Sequence, residues 1–190
     1  MNFLALDTTM DSIAIALSYN NKAITKTVNE GKKRHNSQLL PAVEEILFEN
    51  GIDLSDIDAF GVVVGPGSFT GIRVGVATIN AMSFALKKPV VEMTSLELVR
   101  TKYPLEDILS LIYCLNDNYY GGYFKDDKVE YFAITKNELD TMPQKKVFIE
   151  TCDPVLLFDT MKQKCKKKSF VSRAKPFYLK KSSAERENEK

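Results

Sequence analysis

Gly65-Pro66-Gly67-Ser68-Phe69-Thr70-Gly71-Ile72-Arg73-Val74-Gly75 is the stretch on which the fold turns, and it holds four of the nine glycines in the chain. It follows an apolar run, Ala59 to Val64, and leads into a helix-like segment that reaches about Leu86. A strand, a tight Gly-Pro-Gly turn and a helix N-terminus bring backbone N–H groups together. Such a loop either cradles an anion or lets two backbones approach closely. It is neither GxxxxGK[ST] nor GxGxxG, and no lysine stands where a nucleotide P-loop needs one. Arg73 has a planar fork suited to a phosphate or a carboxylate.

Upstream of the loop, Phe3 to Thr9 predicts a strand ending in a polar turn. Asp11 to Ser18 alternates with period two and predicts its hairpin partner, with a more exposed strand at Lys22 to Val28. Apolar residues at Leu39, Leu40, Val43, Ile46 and Leu47 predict a helix from Asn36 to Asn50, capped by Asn36 or Ser37 and stopped by Gly51. Downstream, Thr70 to Leu86 predicts a helix rich in small residues. Pro89 to Met93 predicts a strand, and Ser95, as N-cap, opens a helix to about Lys102. The remainder predicts a strand at 108–115, a hairpin of 119–125 and 129–134, a short strand at 147–150 and a helix at 154–164. The order β-β-β-α-β-α-β-α is mixed α/β.

Asp7-Thr8-Thr9 ends the first strand. A carboxylate followed by hydroxyls at such a turn either holds a metal-bound phosphate or satisfies its own backbone. The single histidine, His35, excludes a two-histidine metal site within these 190 residues. No GxSxG elbow accompanies it, so a Ser-His-Asp triad has no support and His35 reads as a surface or capping group. Cys114, Cys152 and Cys165 show no metal-ligand spacing and read as reduced, mostly core thiols. No signal peptide is evident, and no window approaches the roughly 20 apolar residues that span a bilayer. A cytoplasmic protein with no membrane association is therefore expected.

The net charge of +1 is unevenly spread. Residues 1–161 carry 15 Lys+Arg against 22 Asp+Glu, whereas residues 162–190 carry 11 against 3. A basic tail on an acidic body suits RNA or an acidic partner, and equally suits a solvated terminus.

Four segments together resemble the TsaB (YeaZ) family: Leu4 to Thr9, His35-Asn36-Ser37-Gln38-Leu39-Leu40-Pro41, the loop Gly65 to Gly75, and Pro176-Phe177-Tyr178-Leu179. The resemblance is strong over residues 1–100, weak from 101 to 170, and returns in the tail. It implies an α/β actin-like ATPase (ASKHA) fold with a complete first lobe and a trimmed second lobe. Residues 1–100 would form the first lobe, 101–175 the shortened second lobe, and 176–190 a basic tail docking back. It further implies a non-catalytic subunit of the bacterial machinery that makes threonylcarbamoyladenosine in tRNA. The partners would be a TsaD-type catalytic subunit and a TsaE-type ATPase, with a homodimer when alone and tRNA reached through the complex.

No catalytic residue, metal or cofactor of its own is expected, ATP or ADP belonging to the complex. Thr94, Ser95 and Val99 stand roughly where the catalytic relative has its histidine-rich stretch, and Asn116 where the family usually has an Asp. The resemblance places the partner interface on the two first-lobe helices, at His35, Leu39, Leu40, Val43, Gly71, Arg73, Gly75, Thr78 and Met82. Asp7, Thr8, Thr9, Gly65, Gly67 and Ser68 would form a degenerate nucleotide or phosphate loop. The alternatives are a degenerate nucleotide-binding regulator and a self-sufficient glycoprotease-like or ATPase enzyme.

Overall fold

The computed structural model describes residues 1–28, 35–104, 106–114, 116–125 and 128–179. The predicted tail from 180, the hairpin turn at 126–127 and the side chains of His35 and Asn36 lie outside the described residues. Two sheets form. The first has strand order β3-β2-β1-β4-β5, from β1 (Phe3–Asp7), β2 (Ile13–Tyr19), β3 (Lys22–Val28), β4 (Ala59–Val63) and β5 (Val90–Met93). Strands β1, β2 and β3 are an antiparallel meander, and β4 and β5 add in parallel. The second sheet, in the order β8-β7-β6-β9, contains β6 (Ile108–Cys114), β7 (Asn118–Lys125), β8 (Lys128–Thr135) and β9 (Lys145–Phe148). A meander followed by parallel strands fed by helices is the lobe topology of the actin-like fold.

The two faces of the first sheet differ in side-chain size, and that difference sorts the helices. Leu4, Leu6, Ile13, Ile15, Leu17, Phe60 and Val62 cover one face. Helices α1 (His35–Glu49) and α2 (Phe69–Leu86) pack their apolar stripes on it. The opposite face carries Phe3, Ala5, Ala14, Ala16 and Ala59, with Gly61 buried in the same strand β4. Helix α3 (Ser95–Lys102) and helix α5 (Pro154–Lys166) cover it through Leu98, Leu157, Phe158 and Met161. These small residues let α5 lie close, and a Cβ on Gly61 would sit 2.6 Å from the Met161 sulfur. Helix α5 follows the second sheet in sequence, yet it packs on the first.

Local chemistry explains the boundaries. Gly51, at φ +62°, ends α1, and the Ile52 N–H donates to Leu47 O across it at 3.0 Å. Thr94, rather than Ser95, caps α3 by accepting from the Glu97 N–H. Helix α4 (Lys136–Thr141) is absent from the sequence expectation, although Thr135 and Glu138 form a capping box at its start. By length and composition alone α2 could cross a membrane, contrary to the expectation that no segment has that character. Its position explains the hydropathy, because one side lies in the core and the other carries alanines and a phenylalanine.

The segment after α5 runs back over the first lobe. Val171 bridges to Val90 at the edge of β5. Asn80 and Ala174 exchange two hydrogen bonds of 2.8 and 3.0 Å, and the Phe177 N–H donates to Val64 O at 2.8 Å. Tyr178 then stacks on Phe69, ring centroids 5.1 Å apart.

Candidate functional site

The glycine loop connects β4 to α2, and its geometry is that of close backbone packing. The Asp7–Thr9 turn presses against it from one side. The Thr8 hydroxyl donates to Gly71 O at 2.7 Å, and the Ser68 N–H donates to Thr9 O at 2.7 Å. Any Cβ at Gly71 would collide with the Thr8 carbonyl oxygen, and one at Gly75 with the Thr8 hydroxyl. Gly67, at φ +157°, is held just as closely over Thr9. From a second side Ser95 donates through its N–H to Gly65 O at 3.0 Å and through its hydroxyl to Pro66 O at 2.7 Å. From a third side the returning tail brings Phe177 O to 2.6 Å from a Cβ built on Gly65.

The polar groups of the loop and turn thus engage one another. The Ser68 hydroxyl caps α2 by accepting from the Gly71 N–H at 3.3 Å. Asp7 Oδ1 accepts from the Thr9 N–H and hydroxyl at 2.9 and 2.7 Å, as a self-satisfied Asx turn does. Asp7, Thr8 and Thr9 are all buried. The glycines serve close packing between β1 and the start of α2.

Asp7 also lines a cleft of about 260 Å³ between the lobes, with Ser95, Lys102, Tyr103 and residues 147–151 on its other walls. Cys152, next in sequence to the lining residues Thr151 and Asp153, is buried. Its N–H and sulfur bond to the Ser12 hydroxyl and carbonyl, each at 3.2 Å. Burial, together with the nearby Asp7 charge, holds the Cys152 thiol well above its ordinary range and therefore neutral. Burial likewise pushes Cys165 up to about 11. Among the described residues no group of three or more His, Cys, Asp or Glu side chains is placed to hold a metal ion.

The expected interface residues divide sharply. Leu39 and Val43 are buried in the core, 1% and 2% exposed. Gly71 and Gly75 are buried against Thr8, and Met82 is partly buried against the same core. Thr78 is half-buried. Leu39, Val43, Gly71 and Gly75 belong to the stripe that holds the helices to the sheet, whereas Thr78 and Met82 keep part of their surface exposed. Arg73 is exposed, but its guanidinium lies 3.9 Å over the Phe69 ring and donates to the Tyr178 hydroxyl. Leu40 alone of the apolar set is half exposed, at 50%.

The outward face of the same two helices is built from other residues. On α1, Leu40, Glu44 and Phe48 follow at i, i+4 and i+8. On α2 the exposed stripe is Arg73, Ala77, Ala81, Phe84 and Ala85. Phe48 and Phe84 are each 88% exposed. Two phenylalanines left almost wholly in solvent, with exposed alanines small enough for close helix approach, are the apolar residues these two helices turn away from the sheet. The sequence signal was present: Phe48 and Phe84 fall off the core stripes, one position after the core residues Leu47 and Ser83.

A family described as TsaD, tRNA N6-adenosine threonylcarbamoyltransferase, matches residues 23–122. The tRNA threonylcarbamoyladenosine biosynthesis protein TsaB of Haemophilus influenzae is 37% identical over 98 residues, which cover 50% of this chain and 40% of that one. TsaB of Buchnera aphidicola from Schizaphis graminum is 30% identical over 129 residues, 65% of this chain and 61% of that one. The chain belongs to the TsaB (YeaZ) family. YeaZ from Pseudomonas aeruginosa superposes with a TM-score of 0.77 at 23% identity, covering 94% of this chain and 99% of that chain. A second Pseudomonas aeruginosa structure, described as similar to peptidase YEAZ, gives 0.80 at 22% identity with the same coverage. These likenesses establish the fold. The sequence matches span between 40% and 61% of those two TsaB relatives, and the family match over residues 23–122 takes in both the glycine loop and the open helix face of this TsaB-family chain.

Proposed function

We propose that the chain is a non-catalytic partner subunit, which binds and activates a TsaD-type transferase forming threonylcarbamoyladenosine in tRNA. The observation that carries this reading is the outer face of α1 and α2, with Phe48 and Phe84 almost fully exposed. A subunit that acts by being held needs such a face, and its apolar centre would supply the anchoring residues of the contact. Two further features support it. The single histidine leaves this chain without the paired histidines of a metal-dependent transferase. The glycine loop is packed tightly on the body of the chain, its Gly65, Pro66 and Gly71 carbonyls accepting from Ser95 and Thr8 and its Ser68 N–H donating to Thr9 O, which supports a structural use of the loop. A homodimer of the free chain through the same face follows from its self-complementary apolar character.

The test is co-purification with a TsaD-type subunit, followed by a tRNA modification assay with and without this chain. Pairing that depends on Phe48 and Phe84, and modification that requires the chain, are the expected results. Modification proceeding equally well without the chain, or pairing unaffected by Phe48→Asp with Phe84→Asp, overturns the reading.

A further inference from the structure

From Lys162 to Leu179 the chain carries seven cations and no acidic residue. Lys164 and Lys166 lie in the last turn of α5, where the helix dipole favours cations. Lys167, Lys168, Arg173 and Lys175 lie beyond that turn. None of these four, nor Lys166, has a carboxylate within ion-pair distance among the described residues, and all five are exposed. The two nearby acids are already engaged: Glu97 pairs with Lys164 at 2.6 Å, and Glu92 accepts from the Lys175 backbone N–H.

This basic segment borders a trough between the lobes. One cavity of about 550 Å³ lies between the C-terminal half of α5, α3 and the β7–β8 hairpin, with Arg100, Lys164 and Lys167 on its walls. A second, of about 440 Å³, continues from it beneath Tyr131 and Phe177 to Lys175. The two share Glu97, Lys164 and Ser169. Thr101, Thr160, Ser169 and Phe124 also line the first cavity, the Thr101 and Thr160 hydroxyls bonding one another at 2.7 Å. Cations at both ends of a trough, interleaved with hydroxyls and aromatic rings, match the chemistry that tracks a nucleic-acid backbone. An acidic protein would need no such trough, and a solvated terminus would not be tied to the body by Val171, Ala174 and Phe177.

We propose that this trough, with Lys167 and Lys175 on its walls, together with the exposed Arg173 of the basic segment beside it, binds the sugar-phosphate backbone of RNA. The proposal rests on the reading above that the chain serves an RNA-modifying complex, and it adds a direct contact from this subunit. The cations neutralise backbone phosphates and carry no base readout, so binding is salt-dependent and tolerant of sequence.

The experiment measures fluorescence anisotropy of a labelled tRNA transcript with the full chain over a salt series. It compares wild type, the triple variant Lys167→Glu with Arg173→Glu and Lys175→Glu, and a control triple, Lys22→Glu with Lys87→Glu and Lys136→Glu, of the same net charge. Wild type is expected to bind with affinity falling as salt rises. The trough variant should lose at least about 10-fold and flatten the log–log salt slope by about 2 to 3, at roughly 0.7 to 0.9 per phosphate contact. The control triple should change the affinity far less. Equal losses in both triples, no binding by wild type, or equal binding of polyglutamate in place of RNA each overturn the proposal. Co-purification with the TsaD-type subunit is followed in parallel. Pairing kept while RNA binding is absent overturns only this inference, and RNA bound while pairing is absent overturns only the partner reading.

Discussion

Helix α2 has two long faces that meet opposite conditions. Its inner face is so close to the Asp7–Thr9 turn that Gly71 and Gly75 have no room for a methyl group. Its outer face shows Ala77, Ala81, Phe84 and Ala85 to solvent. Both faces are made of small or apolar residues, and composition alone does not tell them apart. What separates them is the partner each has within the chain. The inner face has one, a strand end with hydroxyls placed to bond its backbone. Among the described residues the outer face from Ala77 to Ala85 has none, and there lies the support for a partner from outside. Small residues on a helix therefore mark close approach without saying to what.

The sharpest way to break this comparison is to add bulk on the inner side. Gly71→Val should push the Thr8 carbonyl away, break the 2.7 Å Thr8 bond to Gly71 O and cost about 3 kcal/mol. In a chain of this length that lowers Tm by roughly 6 to 12 °C in a calorimetric scan. A wild-type Tm in this variant would show that the turn and loop are not locked together. Gly75 behaves in the same way, so its substitution reports on folding and not on pairing.

The outer face should respond in the opposite sense. Phe84→Asp and Ala81→Trp remove no buried contact, so Tm should stay within about 2 °C. Affinity for a TsaD-type subunit should fall by roughly 30-fold or more, the scale of an aromatic anchor lost from an interface centre. Surface plasmon resonance with both variants separates the two faces. A large stability loss with unchanged affinity would reverse their assignment.

Much of the first lobe was legible because its elements carry local signals. A short apolar run ending in a polar turn marks β1, period-two alternation marks β2, the Gly51 stop marks α1, and the Gly-Pro-Gly turn sets the start of α2. The outward face of α1 and α2 was legible only as a pair of helices. The resemblance puts Leu39, Val43, Gly71 and Gly75 at an interface, but composition does not separate them from outward-facing apolar and small residues, and burial does. Phe48 and Phe84 needed a different question, namely which apolar residues fall outside the stripe facing the sheet. The return of α5 to the first sheet is a long-range fact. Its only trace in sequence is the row Ala5, Ala14, Ala16, Ala59 and Gly61, small residues alternating with large ones, which prepares one sheet face for a close helix. The missed helix α4 had a local trace in Thr135 and Glu138.

A third, smaller effect tests how far the tail belongs to the first lobe. Asn80 joins α2 to Ala174 by two hydrogen bonds. Asn80→Ala removes both and should weaken tail docking by about 1 to 2 kcal/mol. Hydrogen exchange across 171–179 should then accelerate by roughly 5- to 30-fold, with the core strands unchanged. Unaltered exchange would assign the docking to Val171 and Phe177 alone.

The smallest expected effect concerns the buried thiol beside the closed turn. Burial first, and then the Asp7 charge, raise the Cys152 pKa above its ordinary value of 9.0 in the folded chain. The unfolded chain therefore gives up this proton first. Below pH 9 the thiol is neutral in both states and the difference contributes its full stability. Above pH 9 the unfolded state binds fewer protons than the native state, so stability falls as pH rises. By pH 10 the fall attributable to Cys152 should reach about 1 kcal/mol. Tyr131, raised to about 12 by burial, adds to it only at higher pH. Urea midpoints at pH 8 and pH 10 for wild type and Cys152→Ala isolate the effect, because Cys165 titrates in both chains and cancels. The variant should lose less than wild type over that interval. Equal losses would mean that the thiolate is tolerated beside Asp7, and the inner side of the turn would then be wetter than its packing indicates.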